Sequence, residues 1–275
     1  MFSRAAAEVA KASRSNSVRA TAATLAAVAG GGTAVLCDDA VHTPEYDWSH
    51  FGAIKTFDHA AIRRGFQVYR EVCSTCHSIK FVSFRNLVGV THTEAEVKKL
   101  AAEYDVEDGP NDEGEMFERP AKAADRIPGP YTNEQAARAA NNGAYPPDLS
   151  LMVKARHSGI HYVFSLLTGY TDAPVGKEVL PGLHYNPYFP GTSISMPPPL
   201  QDGQVEYPDG TEATVSQMAK DVTTFLAWTA EPEHDDRKRM GIKWCVAMFA
   251  ATALAMYYKR LRWAPIKTRK ISYHD

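Results

Sequence analysis

Cys73 and Cys76 stand two residues apart in the string REVCSTCHSIK, residues 70 to 80, with His77 directly behind them. Three chemistries use such a trio. A redox dithiol opens a helix that follows a strand, where the helix N-terminus lowers the thiol pKa; here the pair closes a helical pattern instead. A structural zinc site needs four ligands, and no second Cys pair or Cys–His pair of suitable spacing occurs. Covalent haem attachment uses all three residues: each cysteine adds to one haem vinyl group as a thioether, and His77 is directed at the iron. The spacing favours one c-type haem, with the dithiol and zinc readings as alternatives.

What fills the sixth iron position separates ligand-binding or peroxide chemistry from plain electron transfer, since a methionine sulfur closes the site and raises the potential. Met116 falls in an acidic loop, Met218 on an apolar helical face, and Met240, Met248 and Met256 in a hydrophobic run. Met196 differs, because it sits in GTSISMPPPL, with three prolines stiffening the chain behind it and Gly191 allowing a tight approach. It is the favoured distal ligand, with Met152, His157, His161 and His184 as competitors. Haem propionates need cationic partners, and Arg156, in VKARHSGIHYVFSLL, could reach inward for a bidentate bond. Lys154 reads as a solvated surface charge.

These residues need a scaffold. Asp58 is an N-cap for a helix that places Ile62, Phe66, Tyr69, Cys73 and Cys76 on one stripe, the motif forming its end. A second strong helix is predicted over residues 215 to 230, with Val215, Met218, Val222, Phe225, Leu226 and Thr229 on one face until Pro232 stops it. Shorter helices are predicted over 93–104, 133–142, 149–157 and 160–169. Between them run loops dense in Pro, Gly and Tyr, and strand signals are few. The expectation is a mainly α, loop-rich, cytochrome c-like haem domain, which needs more than a side-chain core to organise it.

The formal charge of −2 over 275 residues conceals three blocks. Residues 1 to 37 are net +3; residues 38 to 236 carry 16 basic and 30 acidic side chains; residues 237 to 275 carry 10 basic and one acidic. The first block, rich in Ala, Ser and Arg, reads as an organelle-targeting and sorting presequence over residues 1 to 38. Residues 39 to 236 form the haem domain. The run MGIKWCVAMFAATALAMYY, from Met240 to Tyr258, extends about 28 Å as a helix, close to one hydrocarbon core. It is flanked by Trp244, Tyr257, Tyr258 and Trp263, so residues 237 to 258 read as one transmembrane anchor. Six cations after the span, in the tail of residues 259 to 275, put the C-terminus on the positive-inside face and the acidic body opposite. That body argues against nucleic acid as a partner. Its acids cluster in residues 103 to 118, with eight acidic and no basic side chains, and in residues 202 to 212. Such a field suits a basic protein partner, which it would steer in a salt-dependent way.

The strings IRRGFQVYREVCSTCHS, DGPNDEGEMFERP, NEQAARAANNGAYPPDLS, YVFSLLTGY, NPYFPGTSISMPPPL and AKDVTTFLAWTAEPEHDDRKRMG together resemble the mitochondrial cytochrome c1 family, the membrane-anchored haem subunits of the dimeric cytochrome bc1 complex. The resemblance runs from about residue 43 into the C-terminal tail. It implies haem c on Cys73 and Cys76, iron ligation by His77 and Met196, and propionate pairing by Arg156. It further implies electron transfer from the Rieske iron–sulfur protein to soluble cytochrome c, contact with cytochrome b, an inner-membrane location, and a haem domain in the intermembrane space. On this reading the chain makes and breaks no substrate bonds itself; the rival is a membrane-anchored, peroxidase-like haem enzyme with an open sixth position.

Overall fold

The computed structural model describes residues 41–273, so the presequence assigned to residues 1 to 38 lies outside the described residues. The helices are α1 (His59–Glu71), α2 (Glu94–Ala101), α3 (Glu134–Ala140), α4 (Gly159–Thr168), α5 (Val215–Ala230) and α6 (His234–Thr268). Two short 3₁₀ helices, Cys73–Thr75 and Phe84–Leu87, and two small antiparallel hairpins join them: β1 (Asp105–Asp108) with β2 (Phe117–Pro120), and β3 (His184–Tyr185) with β4 (Ser193–Ile194). The mainly α, loop-rich expectation holds.

Helix α1 starts where its cap demands. The Asp58 carboxylate accepts from the N–H groups of Ala60 and Ala61, satisfying two of the donors a helix start leaves open. Its buried stripe includes Ile62, Phe66 and Tyr69. The stripe ends at Glu71, and Cys73–Thr75 form a separate 3₁₀ turn, so the motif follows the helix instead of lying in it. Helix α5 matches its predicted bounds and packs across α1. Gly65 makes the crossing possible: a Cβ there would lie 2.0 Å from the Asp221 carbonyl oxygen and 2.8 Å from the Phe225 Cβ. Beside it, Phe66 and Tyr69 meet the Phe225 ring at centroid separations of 5.6 and 5.8 Å. The fully buried Asp221 carboxylate is gripped by Arg64 through Nε at 2.9 Å and a terminal nitrogen at 3.1 Å, and by Gln217 at 3.0 Å. Planar two-point pairing of this kind offsets the cost of burying the charge.

The helix predicted over 149–157 does not form. Residues 150 to 158 run in overlapping turns, with Lys154 and Ala155 both donating to the Leu151 carbonyl. Ser158 (φ 61°) and Gly159 (φ 52°) then adopt the left-handed conformation, which breaks any continuous helix before α4. The acidic stretch, expected as a loop, contains the β1–β2 hairpin. Arg119 on β2 bridges Asp108 on β1 and Asp125 beyond it.

Helix α6 is one continuous helix of 35 residues, about 52 Å long. It begins before the predicted span and continues through the basic residues to Thr268, and its apolar centre is exposed. Its first turns are tied to the segment from His50 to Phe57. Lys238 Nζ donates to the carbonyl oxygens of His50, Gly52 and Lys55 at 2.7, 2.6 and 2.8 Å, and Asp235 accepts from the Phe57 N–H at 3.2 Å. His50 is buried against the Phe57 ring, 4.3 Å between centroids. Burial, reinforced by His234 and Lys238, lowers its pKa to about 4.

Candidate haem-binding site

The motif turns back on itself immediately after α1. The N–H groups of Cys76 and His77 both donate to the Cys73 carbonyl, at 3.2 and 2.9 Å, so three chemically active side chains share one tight turn. From the last part of α1 the buried Tyr69 donates its hydroxyl to the His77 carbonyl at 3.0 Å. Backbone and side chain together thus fix the turn to the α1–α5 core.

His77 is oriented from the other side. Its Nδ1 lies 2.8 Å from the Pro147 carbonyl oxygen. A carbonyl only accepts, so Nδ1 carries the proton and Nε2 keeps its lone pair for a metal. Burial lowers the His77 pKa, against the opposing pull of the Pro147 bond and Asp148, which favours the neutral, ligating imidazole. The segment that carries Pro147 is held in turn. Asp148 accepts from Ser78 Oγ and the Lys80 N–H, both at 2.8 Å, and from the Ser150 N–H at 3.0 Å. Burial raises the Asp148 pKa, but those bonds outweigh it and leave the carboxyl below its usual range.

Cys73 and Cys76 are free thiols. Burial, with Cys76 adding to it, pushes the Cys73 thiol up to about 12, the reverse of what a reactive dithiol requires. A zinc reading finds no support either: among the described residues no group of three or more His, Cys, Asp or Glu side chains is arranged to hold a metal ion.

Met196 is half-buried two residues beyond β4, in a segment braced from α4. The Tyr170 hydroxyl, just past the end of α4, donates to the Met196 carbonyl at 3.1 Å. The competitors have other work. Met152 packs against the core, and His161 Nδ1 accepts from the Tyr46 N–H at 3.0 Å and from Trp48 Nε1 at 3.3 Å. His157 is exposed, and His184 pairs with Ile194 in the β3–β4 hairpin that frames the Met196 loop. Met218 is fully buried in α5.

Arg156 is exposed and donates to the Ala155 carbonyl at 3.2 Å, and it also hydrogen-bonds the Tyr162 hydroxyl. No carboxylate among the described residues pairs with it, which leaves donors of its guanidinium for an outside anion. Lys154, read as a surface charge, is exposed and ion-paired with Glu231. The chemistry of the set fits a c-type haem: two cysteines in no disulfide, an imidazole whose Nδ1 bond leaves Nε2 unused, a thioether in a stiffened loop and a guanidinium with donors to spare beyond Ala155 and Tyr162. Cys73, Cys76 and His77 share one turn. Arg156 and Met196 come from separate segments, both tied to α4. The sequence marks Tyr69 only as a position on the apolar stripe of α1 and gives Pro147, Asp148 and Tyr170 no role; the signal available for Pro147 and Asp148 is the paired prolines of GAYPPDLS.

The family model described as Cytochrome C1 family matches residues 48–266. The chain is 58% identical over 245 residues to the protein named cytochrome c1-2, heme protein, mitochondrial, of Solanum tuberosum, covering 88% of this chain and 94% of that one. It is 59% identical over 235 residues to cytochrome c1, heme protein, mitochondrial, of Saccharomyces cerevisiae, covering 85% and 76%. It is also 60% identical over 234 residues to the Candida albicans protein named cytochrome b-c1 complex catalytic subunit, mitochondrial, covering 85% and 81%.

Proposed function

The chain belongs to the cytochrome c1 family, as an electron-transfer subunit that carries haem c, and we propose which of its residues hold that group and which partners it serves. Cys73 and Cys76 would hold the haem through thioether links to its two vinyl groups, His77 Nε2 and the Met196 sulfur would ligate its iron, and Arg156 would pair with a propionate. Bound there, the haem supplies one iron that cycles between two oxidation states. The protein's part is to hold: Pro147 keeps His77 in the ligating tautomer, Tyr69 fixes the turn, and the packed α1–α5 pair keeps both from relaxing. The chain makes and breaks no substrate bond by itself. The family gives no support to a peroxidase with an open sixth position.

Electrons arrive from the Rieske iron–sulfur protein and leave to soluble cytochrome c, within a dimeric complex that also contains cytochrome b. The haem domain, residues 39 to 236, faces the intermembrane space. The anchor crosses the inner membrane once, and the cations from Lys259 to Lys270 favour a matrix-facing C-terminus. A basic partner would meet the acids around the β1–β2 tip, where Asp112, Glu113 and Glu115 are exposed beside Met116 and Phe117.

The observation that carries this reading is the His77 Nδ1 contact with Pro147, which leaves Nε2 unused in the same turn as two cysteines that form no disulfide. Intact mass and absorption spectra of the purified chain test it. The expected mass exceeds the polypeptide by one haem, and Cys73→Ser with Cys76→Ser removes the increment. A native mass without haem overturns the reading, and ready binding of carbon monoxide by the untreated protein would point back to an open site.

A further inference from the structure

The chain between residues 186 and 196 is fastened to the C-terminal end of α4 at three points. The buried Asn186 donates from Nδ2 to the Leu166 carbonyl at 2.8 Å, while its Oδ1 accepts from the Tyr188 N–H at 3.1 Å. The Tyr188 ring lies on Gly169: a Cβ there would come within 2.5 Å of Cδ2 and 2.8 Å of Cε2. The third point is Tyr170 on Met196. The first two fix the base of the loop, around the tight turn in which the Thr192 N–H donates to the Phe189 carbonyl at 2.7 Å and Thr192 takes a φ of 60°. Only the third reaches Met196 itself.

Among the described residues, Pro197, Pro198 and Pro199 have no N–H with which to lace the following segment to a neighbour, and the chain is next anchored at the buried Leu200. A methionine thioether is a neutral, weakly held iron ligand, so modest drift of its backbone is enough to open the sixth position.

We propose that Tyr170 is a positioning residue for the sixth iron ligand: its hydroxyl, donated to the Met196 carbonyl, holds the Met196 loop in its ligating conformation from a mount at the end of α4. This rests on Met196 being the ligand. Helix α4 thereby registers both sides of the site, since Tyr162 on the same helix bonds Arg156.

Two variants of the full-length, haem-loaded chain in detergent separate the claims. Met196→Leu should abolish the far-red sulfur-to-iron charge-transfer band of the ferric protein and let the reduced protein bind carbon monoxide freely. Tyr170→Phe, which keeps the ring and removes only the donor, should retain a weakened band and bind carbon monoxide about fivefold faster than the parent, the effect of losing one net hydrogen bond. A band that survives Met196→Leu overturns the ligand assignment. A band lost in Met196→Leu, with Tyr170→Phe matching the parent in band and carbon monoxide rate, overturns the positioning role alone.

Discussion

The Nδ1 atom of His77 and the carbonyl oxygen of Pro147 stand 2.8 Å apart, and that contact decides which imidazole nitrogen is offered to a metal. The residue that keeps it in place is one position further on. Asp148→Ala removes the acceptor shared by Ser78, Lys80 and Ser150 and should cost about 2–3 kcal/mol. Denaturant unfolding followed at the Soret band reads the loss, and a changed ferric EPR spectrum reports the freed imidazole. Unaltered stability with an unaltered spectrum would remove Asp148 from the orienting chain.

Gly65→Ala should be among the most damaging single-methyl additions in the chain. The new carbon would meet backbone at 2.0 Å, which cannot rotate away, so α1 and α5 must part and the loss should reach about 3 kcal/mol or more. Gly241→Ala is the control, because nothing lies within 4 Å of its added carbon; it should leave the thermal midpoint level or slightly raised. Equal effects of the two substitutions would contradict the described crossing.

Stability should fall with acid in a window set by His50. Its folded pKa, about 4, lies below the ordinary 6.5, so between these values the unfolded chain binds more protons. The contribution is complete above about pH 6.5 and is lost as pH falls through about 4, amounting to up to about 3 kcal/mol. His234 and Lys238 push the same way as burial, while Asp235 and Glu231 oppose it. Asp125, held near 2 chiefly by Arg119, keeps its contribution above the ordinary carboxylate pKa and loses it only in stronger acid. His50→Gln should therefore flatten the decline from pH 6.5 to 4, leaving the smaller share of His92, whose pKa is also lowered by burial. An unchanged slope would place the dependence elsewhere.

Of the clustered acids, not all are available to a partner. Asp108 is engaged by Arg119, Asp209 by Arg64, and Asp202 by the Val215 N–H. Glu113→Gln with Glu115→Gln should slow reduction of cytochrome c by about 2- to 10-fold at low ionic strength, converging on the parent rate as salt rises. Asp108→Asn should loosen the hairpin with little kinetic effect. A rate loss independent of salt would argue against steering.

The chain alone suggests local candidates: Cys73, Cys76 and His77 by adjacency, and Met196 by the prolines behind it. Asp58, marked by the apolar stripe that follows it, caps α1 as expected. The failures are non-local or conformational. Residues 149 to 157 have helix-like apolar spacing, yet Ser158 and Gly159 turn left-handed just beyond them. The hairpin inside the acidic run depends on Arg119 joining carboxylates at positions 108 and 125, a relation no periodicity reveals. Pro147 lies 70 residues from His77, and Tyr170 lies 26 from Met196; both act through atoms that only the folded chain brings together.

The single ammonium of Lys238, with three carbonyls converging on it, pins the first turns of α6 to the segment from His50 to Lys55. Tilting one against the other would have to break three charge-assisted bonds at once, so the joint between helix and segment resists bending where a lone contact would let it hinge.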